Sequence, residues 1–245
     1  MNPSETATAA ISSLPPARTA GIAIAAATVL SIIFVALDGS ASGSTPLEIL
    51  QSMAGMRGTK EMVHSVAIAS VLAYAFAYSV FAWRLDLRRP LVLAGLTTYL
   101  VGCVAMIGAT MLDGFISGDV ASQFAAASPD SVKQGYNLVV FIGIALTDLA
   151  KLGWVLQAVA SLAWSIILLQ ERRLNPAFNR VIGLVGLASS GLVLAAVFSS
   201  DVNMSMTVLL GILFAQAIWN LAAAALLIRS RGTAGSIKFG ATQAA

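Results

Sequence analysis

Apolar residues gather along this chain into membrane-length runs, and the polar stretches between the runs are of two kinds. The runs predict six helical spans, at about residues 20–37, 62–83, 91–116, 137–170, 181–198 and 204–228. Crossing the hydrocarbon of a bilayer takes about 20 apolar residues at a helical rise of about 1.5 Å each. One kind of interruption is basic: Arg84 to Pro90, the stretch Glu171-Arg172-Arg173 to Arg180, and Arg229 to Lys238. The other is small and acidic: Asp38-Gly39-Ser40, the Leu112–Asp119 stretch, and Ser199-Ser200-Asp201. The two kinds alternate. The expected fold class is therefore all-α, a polytopic transmembrane helical bundle.

Local signals fill in the segments between spans. Residues 1–19 are small, polar and proline-containing and read as a disordered cytoplasmic tail; residues 230–245 read as a cytoplasmic tail at the other end. The first run is longer than the ~7–15 residues of a signal-peptide h-region, so it reads as a retained helix. In the first loop, Thr45-Pro46-Leu47-Glu48 has the capping-box pattern with proline at the first helical position. Leu47, Leu50, Met53 and Ala54 then share a face, which predicts a short amphipathic helix on the membrane surface, separate from the second span. Ser128-Pro129 starts the long fourth helix, and LNPAFNR (174–180) reads as a turn.

Composition agrees with the pattern. Of 245 residues, 58% are hydrophobic and only 10% charged, against about 25% charged in soluble domains. The net charge of +3 reflects basic anchors at span ends and implies no nucleic-acid partner. The expected partners are the lipid bilayer itself and a membrane protein or a second copy of the chain. Cys103, the single cysteine, cannot form an intrachain disulfide.

The positive-inside rule puts the basic loops and both termini in the cytoplasm. This works only if 137–170 is a single crossing. Counting about 20 residues from each basic anchor brings Asp38, His64, Asp113, Asp148, Lys151 and Asp201 to one level, the outer interface. The fourth helix must then project beyond the lipid or tilt. Its projecting part, Leu138 to Ile142, is apolar and should be covered by the outer loops.

Three constellations carry chemistry. His64, the only histidine, shares its level with Asp113 and Asp148, a set able to bind a cation, relay protons or grip a polar ligand. Asp148 and Lys151, three apart on one helix, can pair with each other, and the bland account is that such groups mark where helices leave the lipid. The methionines other than Met1 all fall in the outer half. Met62 and Met111 with His64 would make a soft site suited to Cu(I), although methionine also fills irregular apolar gaps. Two haem-ligating histidines are excluded, leaving a His64–methionine axial pair as the remaining haem arrangement. The sequence specifies no cofactor. Finally, Tyr74/Tyr78 and Gln216/Asn220 each share a helix face within spans, as residues that hydrogen-bond between helices do.

No Walker A, GxGxxG or HExxH pattern occurs, and there is no inverted pair of Gly/Pro-broken spans. The long fourth helix, the LNPAFNRVIGLVGLASSGLVL stretch and the GF-containing end of the third span resemble uncharacterised small six-helix bacterial membrane protein families, domains of unknown function. That resemblance implies a bacterial inner (cytoplasmic) membrane location and no activity. The leading expectation is an outer-face vestibule that binds a small apolar or lipid-like ligand, in a sensor or accessory subunit, with His64, Asp113, Asp148 and Lys151 at the site. The alternatives are a membrane enzyme or metal- or haem-handling protein, and a small transporter.

Overall fold

Proline opens four of the helices, at Pro46, Pro90, Pro129 and Pro176. At the first helical position its missing N–H would have had no partner, and its fixed φ suits the helix. The structure, a computed structural model, describes residues 17–171, 176–199 and 206–229. Its elements are α1 (Ala17–Leu37), α2 (Pro46–Arg84), α3 (Pro90–Met111), a π-helical turn (Leu112–Ile116), α4 (Ser117–Phe124), α5 (Pro129–Gln170), α6 (Pro176–Ser199) and α7 (Met206–Arg229). Six helices are long and apolar enough to cross a membrane, with α3, the π turn and α4 counted as one. Of the expected tail at 1–19, residues 17–19 are instead the first turn of α1; its remainder, 1–16, and the expected tail at 230–245 lie outside the described residues, as do Arg172, Arg173, Asp201, Met204, Arg231 and Lys238.

Helix boundaries differ from those expected at several points, two of them most clearly. The amphipathic segment after Thr45 is not a separate surface helix but the first turns of α2, which runs unbroken for 39 residues. The capping box forms as the sequence indicates: Glu48 N–H donates to Thr45 Oγ1, and Glu48 Oε2 accepts from the Thr45 and Ser44 N–H groups. Nothing beyond it ends the helix. Gly55 and Gly58 face open space, and the Arg57–Glu61 pair at 2.8 Å bridges one turn. Likewise LNPAFNR is not all turn, because α6 starts at Pro176.

Around the bundle, α1 packs on α2 and α7, α7 on α6, α6 on α5, α5 on α3, and α3 on α2. The six long helices thus close a ring, with α2 and α5 also touching across it. Aromatic side chains fill the middle. Tyr78 of α2 stacks on Trp164 of α5 with centroids 5.3 Å apart, and Tyr99 of α3 lies 4.5 Å from Tyr78. Phe81 stands edge-on to Trp164 and to Trp219 of α7. Such offset and edge contacts are the favoured aromatic geometries. Gly95 makes room for this cluster, since a Cβ there would lie 2.8 Å from Trp164 Nε1.

At one end of the bundle the chain is basic. Arg89 Nη2 bonds Glu171 at 3.0 Å, and the Arg229 guanidinium lies 5.1 Å over the Phe178 ring. Asp86, at φ 76°, turns the chain between α2 and α3. The Arg88 N–H and guanidinium donate to its carboxylate and hold the Asp86 carboxyl below its ordinary value. At the other end α2, α4 and α5 extend as a three-helix projection around Leu50, Met53, Ala121 and Val132. The apolar stretch of α5 here is covered on one side only. Ile142 is buried, but Leu138, Val140 and Phe141 are exposed, Phe141 at 68%. The loops expected over them do not reach, because the start of α2 and α4 pack on the opposite face.

Candidate functional site

The site is assembled where α3 changes its neighbour. Along α3, Gly102 lies against Gly153 and Leu156 of α5. Continuing that face in α-helical steps through Ala109 would bury Ile116, yet Ile116 is exposed and Gly114, Ser117 and Gly118 are buried. The π turn at Leu112–Ile116 causes the switch. Its wider i→i+5 winding slips the phase of the helix, so the residues after it meet α2 instead. Gly114 lies against His64 and Gly118 against Arg57. Serine and glycine at these positions allow the close approach, and Ser117 Oγ returns a hydrogen bond to the Asp113 carbonyl.

The phase slip carries Asp113 onto Lys60 and His64 of α2. Lys60 Nζ donates to Asp113 Oδ1 at 2.9 Å, and His64 Nε2 lies 3.1 Å from Asp113 Oδ2. Lys60 and His64 are four residues apart, hence on one face. His64 is 7% exposed, and its Nδ1 lies 2.8 Å from the Lys60 carbonyl. A carbonyl and a carboxylate only accept hydrogen bonds. Beside an ionised Asp113, the imidazole satisfies both contacts only with a proton on each nitrogen. A third element joins from α1: Asp38, one residue past its end, has Oδ1 at 3.4 Å from Lys60 Nζ. One ammonium therefore holds two carboxylates from different helices. A turn further along α2, Arg57 ties α4 through Asp119 at 2.7 Å.

Of the residues expected at the site, the structure brings His64 and Asp113 together and leaves Asp148 apart, exposed on α5. Among the described residues no Asp148–Lys151 ion pair of the kind allowed by their spacing forms; Lys151 is half-buried and is not without a partner. Met62 is 55% exposed and two residues from buried His64, a spacing that points the two side chains to different faces. Met111 is also exposed. Sequence reasoning missed Lys60, which it assigned to a loop. It had Asp38 at the right level but not in the set. The available signal was the i, i+4 spacing of Lys60 and His64, legible once α2 is read as continuous.

A groove of about 550 Å³ opens between α1 and α7, with Tyr74 of α2 in its wall. Asp38 stands at one end; Thr28, Tyr74, Gln216 and Asn220 line the other, about 15 Å away by helical rise along α1. Between them, apart from Ser31, the lining is apolar, with Ile32, Val35, Leu209, Leu213 and Phe214. The polar end is pre-organised. Tyr74 Oη donates to Thr28 Oγ1 at 3.0 Å, and Tyr78 Oη to Asn220 Oδ1 at 2.7 Å. Gln216 also borders a cavity of about 10 Å³ on the inner side of α7, room for about one water. Among the described residues two buried groups have no partner, Ser190 Oγ and Trp219 Nε1, and both belong to residues lining that cavity.

Three oxygen and nitrogen donors, from Asp38, His64 and Asp113, lie within 4.8 Å of one another. One imidazole and two carboxylates suit a first-row divalent ion. Here, however, Lys60 already supplies the positive charge. Comparison with family models, with curated proteins and with solved structures finds no match.

Proposed function

We propose that this chain is a multi-pass protein of the bacterial inner membrane, both termini cytoplasmic, which binds a small apolar or lipid-like ligand in the α1–α7 groove as a sensor or accessory subunit. Membrane residence is supported by the belt of exposed large apolar side chains, among them Ile32, Val104, Phe198 and Phe214. No soluble surface tolerates such a belt. Orientation is supported by Arg84, Arg88, Arg89, Arg180 and Arg229 at one end, facing an end richer in acidic residues.

The observation that carries the ligand reading is the groove. It has the size of a small-molecule site, a mostly apolar wall and a few fixed polar groups. Through Asp38 its mouth connects to Lys60, Asp113 and His64. Occupancy of the groove therefore acts on an ion pair that ties α1 to α2. The relation is what a sensor needs: a ligand contact coupled to a helix–helix contact.

The test is to extract the full chain in lipid nanodiscs and identify co-purifying amphiphiles by mass spectrometry. Leu213→Trp, which fills the groove, should lose them while retaining the fold. Equal retention by wild type and Leu213→Trp would overturn the reading. A second reading, metal handling, is favoured by the Asp38–His64–Asp113 donor set and opposed by Lys60 among those donors. Metal analysis of the purified protein decides it.

A further inference from the structure

The chemistry of the ligand's head group follows from which charge faces the groove, and this inference rests on the groove being the binding site. Among the groove's lining residues Asp38 alone is charged. Lys60, His64 and Asp113 stand behind it and do not line the groove. Lys60 is committed to Asp113 at 2.9 Å and reaches Asp38 only at 3.4 Å. The Asp38 side chain is 29% exposed, and no residue other than Lys60 makes an ion pair with it among the described residues. The His64 ring also stands within 4.8 Å of Asp38, but like Lys60 it is held at hydrogen-bond distance by Asp113, so the Asp38 carboxylate, at the mouth of an apolar groove, has remaining capacity for a second cation. Its attraction is strengthened there by the low-dielectric walls.

We infer that the groove takes an organic monovalent cation: an ammonium head on an apolar body, the head at Asp38 and the body along Ile32, Val35, Leu213 and Phe214. An anion would meet a carboxylate instead. A neutral alcohol would gain the apolar contacts but not the ion pair. On binding, the ammonium shares Asp38 with Lys60 or displaces it, and Lys60 remains satisfied by Asp113. The α1–α2 tie is then exchanged for a ligand contact without leaving a buried charge unpaired, which would be the costly outcome.

The experiment measures saturation binding of decylammonium, decanol and decanoate to the full chain in nanodiscs, with empty nanodiscs subtracted. Decylammonium is expected to bind at least ~10-fold more tightly than decanol, about 1.4 kcal/mol, and decanoate more weakly than either. Asp38→Asn should bring decylammonium to the level of decanol and leave decanol unchanged. Lys60→Met, which frees Asp38 from its competitor, should tighten decylammonium binding, a gain that misfolding cannot mimic. Decanol binding with no preference for decylammonium, or a preference indifferent to both variants, would overturn the inference and leave the groove reading standing. If none of the three probes binds above the empty-nanodisc level, and Leu213→Trp alters nothing, the groove reading fails as well.

Discussion

Gly114 of the π turn lies directly against the β-carbon of His64, so close that a methyl group at 114 would overlap it. The histidine is held not by a pocket of large side chains but by bare backbone on one side and Asp113 on another. Gly114→Ala should therefore force the π turn away from α2 and stretch the His64–Asp113 contact. Overpacking of this kind costs roughly 1–3 kcal/mol. Thermal unfolding of the purified variant measures it. Because the clash is at Cβ, His64→Ala should not relieve the defect, whereas His64→Gly should. A Gly114→Ala protein as stable as wild type would mean that the turn is looser than the contact implies.

Lys60 does the work of a bound cation. Its ammonium sits between Asp38 and Asp113, whose donor atoms with His64 fit within 4.8 Å. Removing it leaves two carboxylates facing each other with only the imidazole between. Lys60→Ala should lose about 1.5–3 kcal/mol, the range for hydrogen bonds to charged groups, and should recover stability when a divalent ion is supplied. Linked binding of this kind raises the melting temperature in proportion to the logarithm of ion concentration. The measurement is unfolding of wild type and Lys60→Ala with and without Zn²⁺ or Mn²⁺. Stabilisation of wild type and not of the variant would contradict the assignment.

Span number was legible because hydropathy over about 20 residues is a large, additive signal. The level of the site was legible too: counting from Arg84 and Pro90 brought His64 and Asp113 to one depth, and they touch. What the sequence hid depends on angle rather than depth. Lys60 was lost because the chain around Gly55 and Gly58 looks like a loop, yet with no proline after the capping box α2 continues through it. The π turn had no signature beyond Gly114, and it decides that Asp113 faces α2. Asp148 is exposed on α5 and makes none of these contacts; the direction a residue faces is information that a depth count does not contain. The groove was invisible for a similar reason. It depends on α1 and α7, the first and last helices, lying side by side.

Packing and hydrogen bonding within the bundle should separate cleanly by size. Trp164 contacts Tyr78, Phe81 and Tyr99, and its Nε1 donates to the Val92 carbonyl at 3.4 Å. Trp164→Ala empties the centre of the ring and should cost about 3–5 kcal/mol. Tyr78→Phe removes only the bond to Asn220, and interhelical hydrogen bonds in membranes average about 0.6 kcal/mol. Reversible unfolding in mixed micelles resolves both. A Tyr78→Phe cost comparable to that of Trp164→Ala would mean the hydrogen bond, not the aromatic stack, organises the core.

Orientation rests on an asymmetry between the two ends. At the cluster end the cations Arg57 and Lys60 are each bonded to acidic partners, Glu61 and Asp119 for one, Asp113 and Asp38 for the other. At the opposite end stand Arg84, Arg88, Arg89, Arg180 and Arg229, of which Arg88 pairs with Asp86 and Arg89 with Glu171. Lysine and arginine near span ends resist translocation, so the second end should remain in the cytoplasm. The check uses single cysteines in a Cys103→Ala background and a membrane-impermeant maleimide. Cysteine in place of Ala41 or Ala127, both exposed at the cluster end, should be labelled from outside. Cysteine in place of Arg88, whose side chain is 93% exposed, should be labelled only after the membrane is opened. Labelling of 41 and 88 from the same side would overturn the six-crossing arrangement. Labelling of 88 alone from outside would invert it, and would place the groove mouth at Asp38 in contact with the cytoplasm.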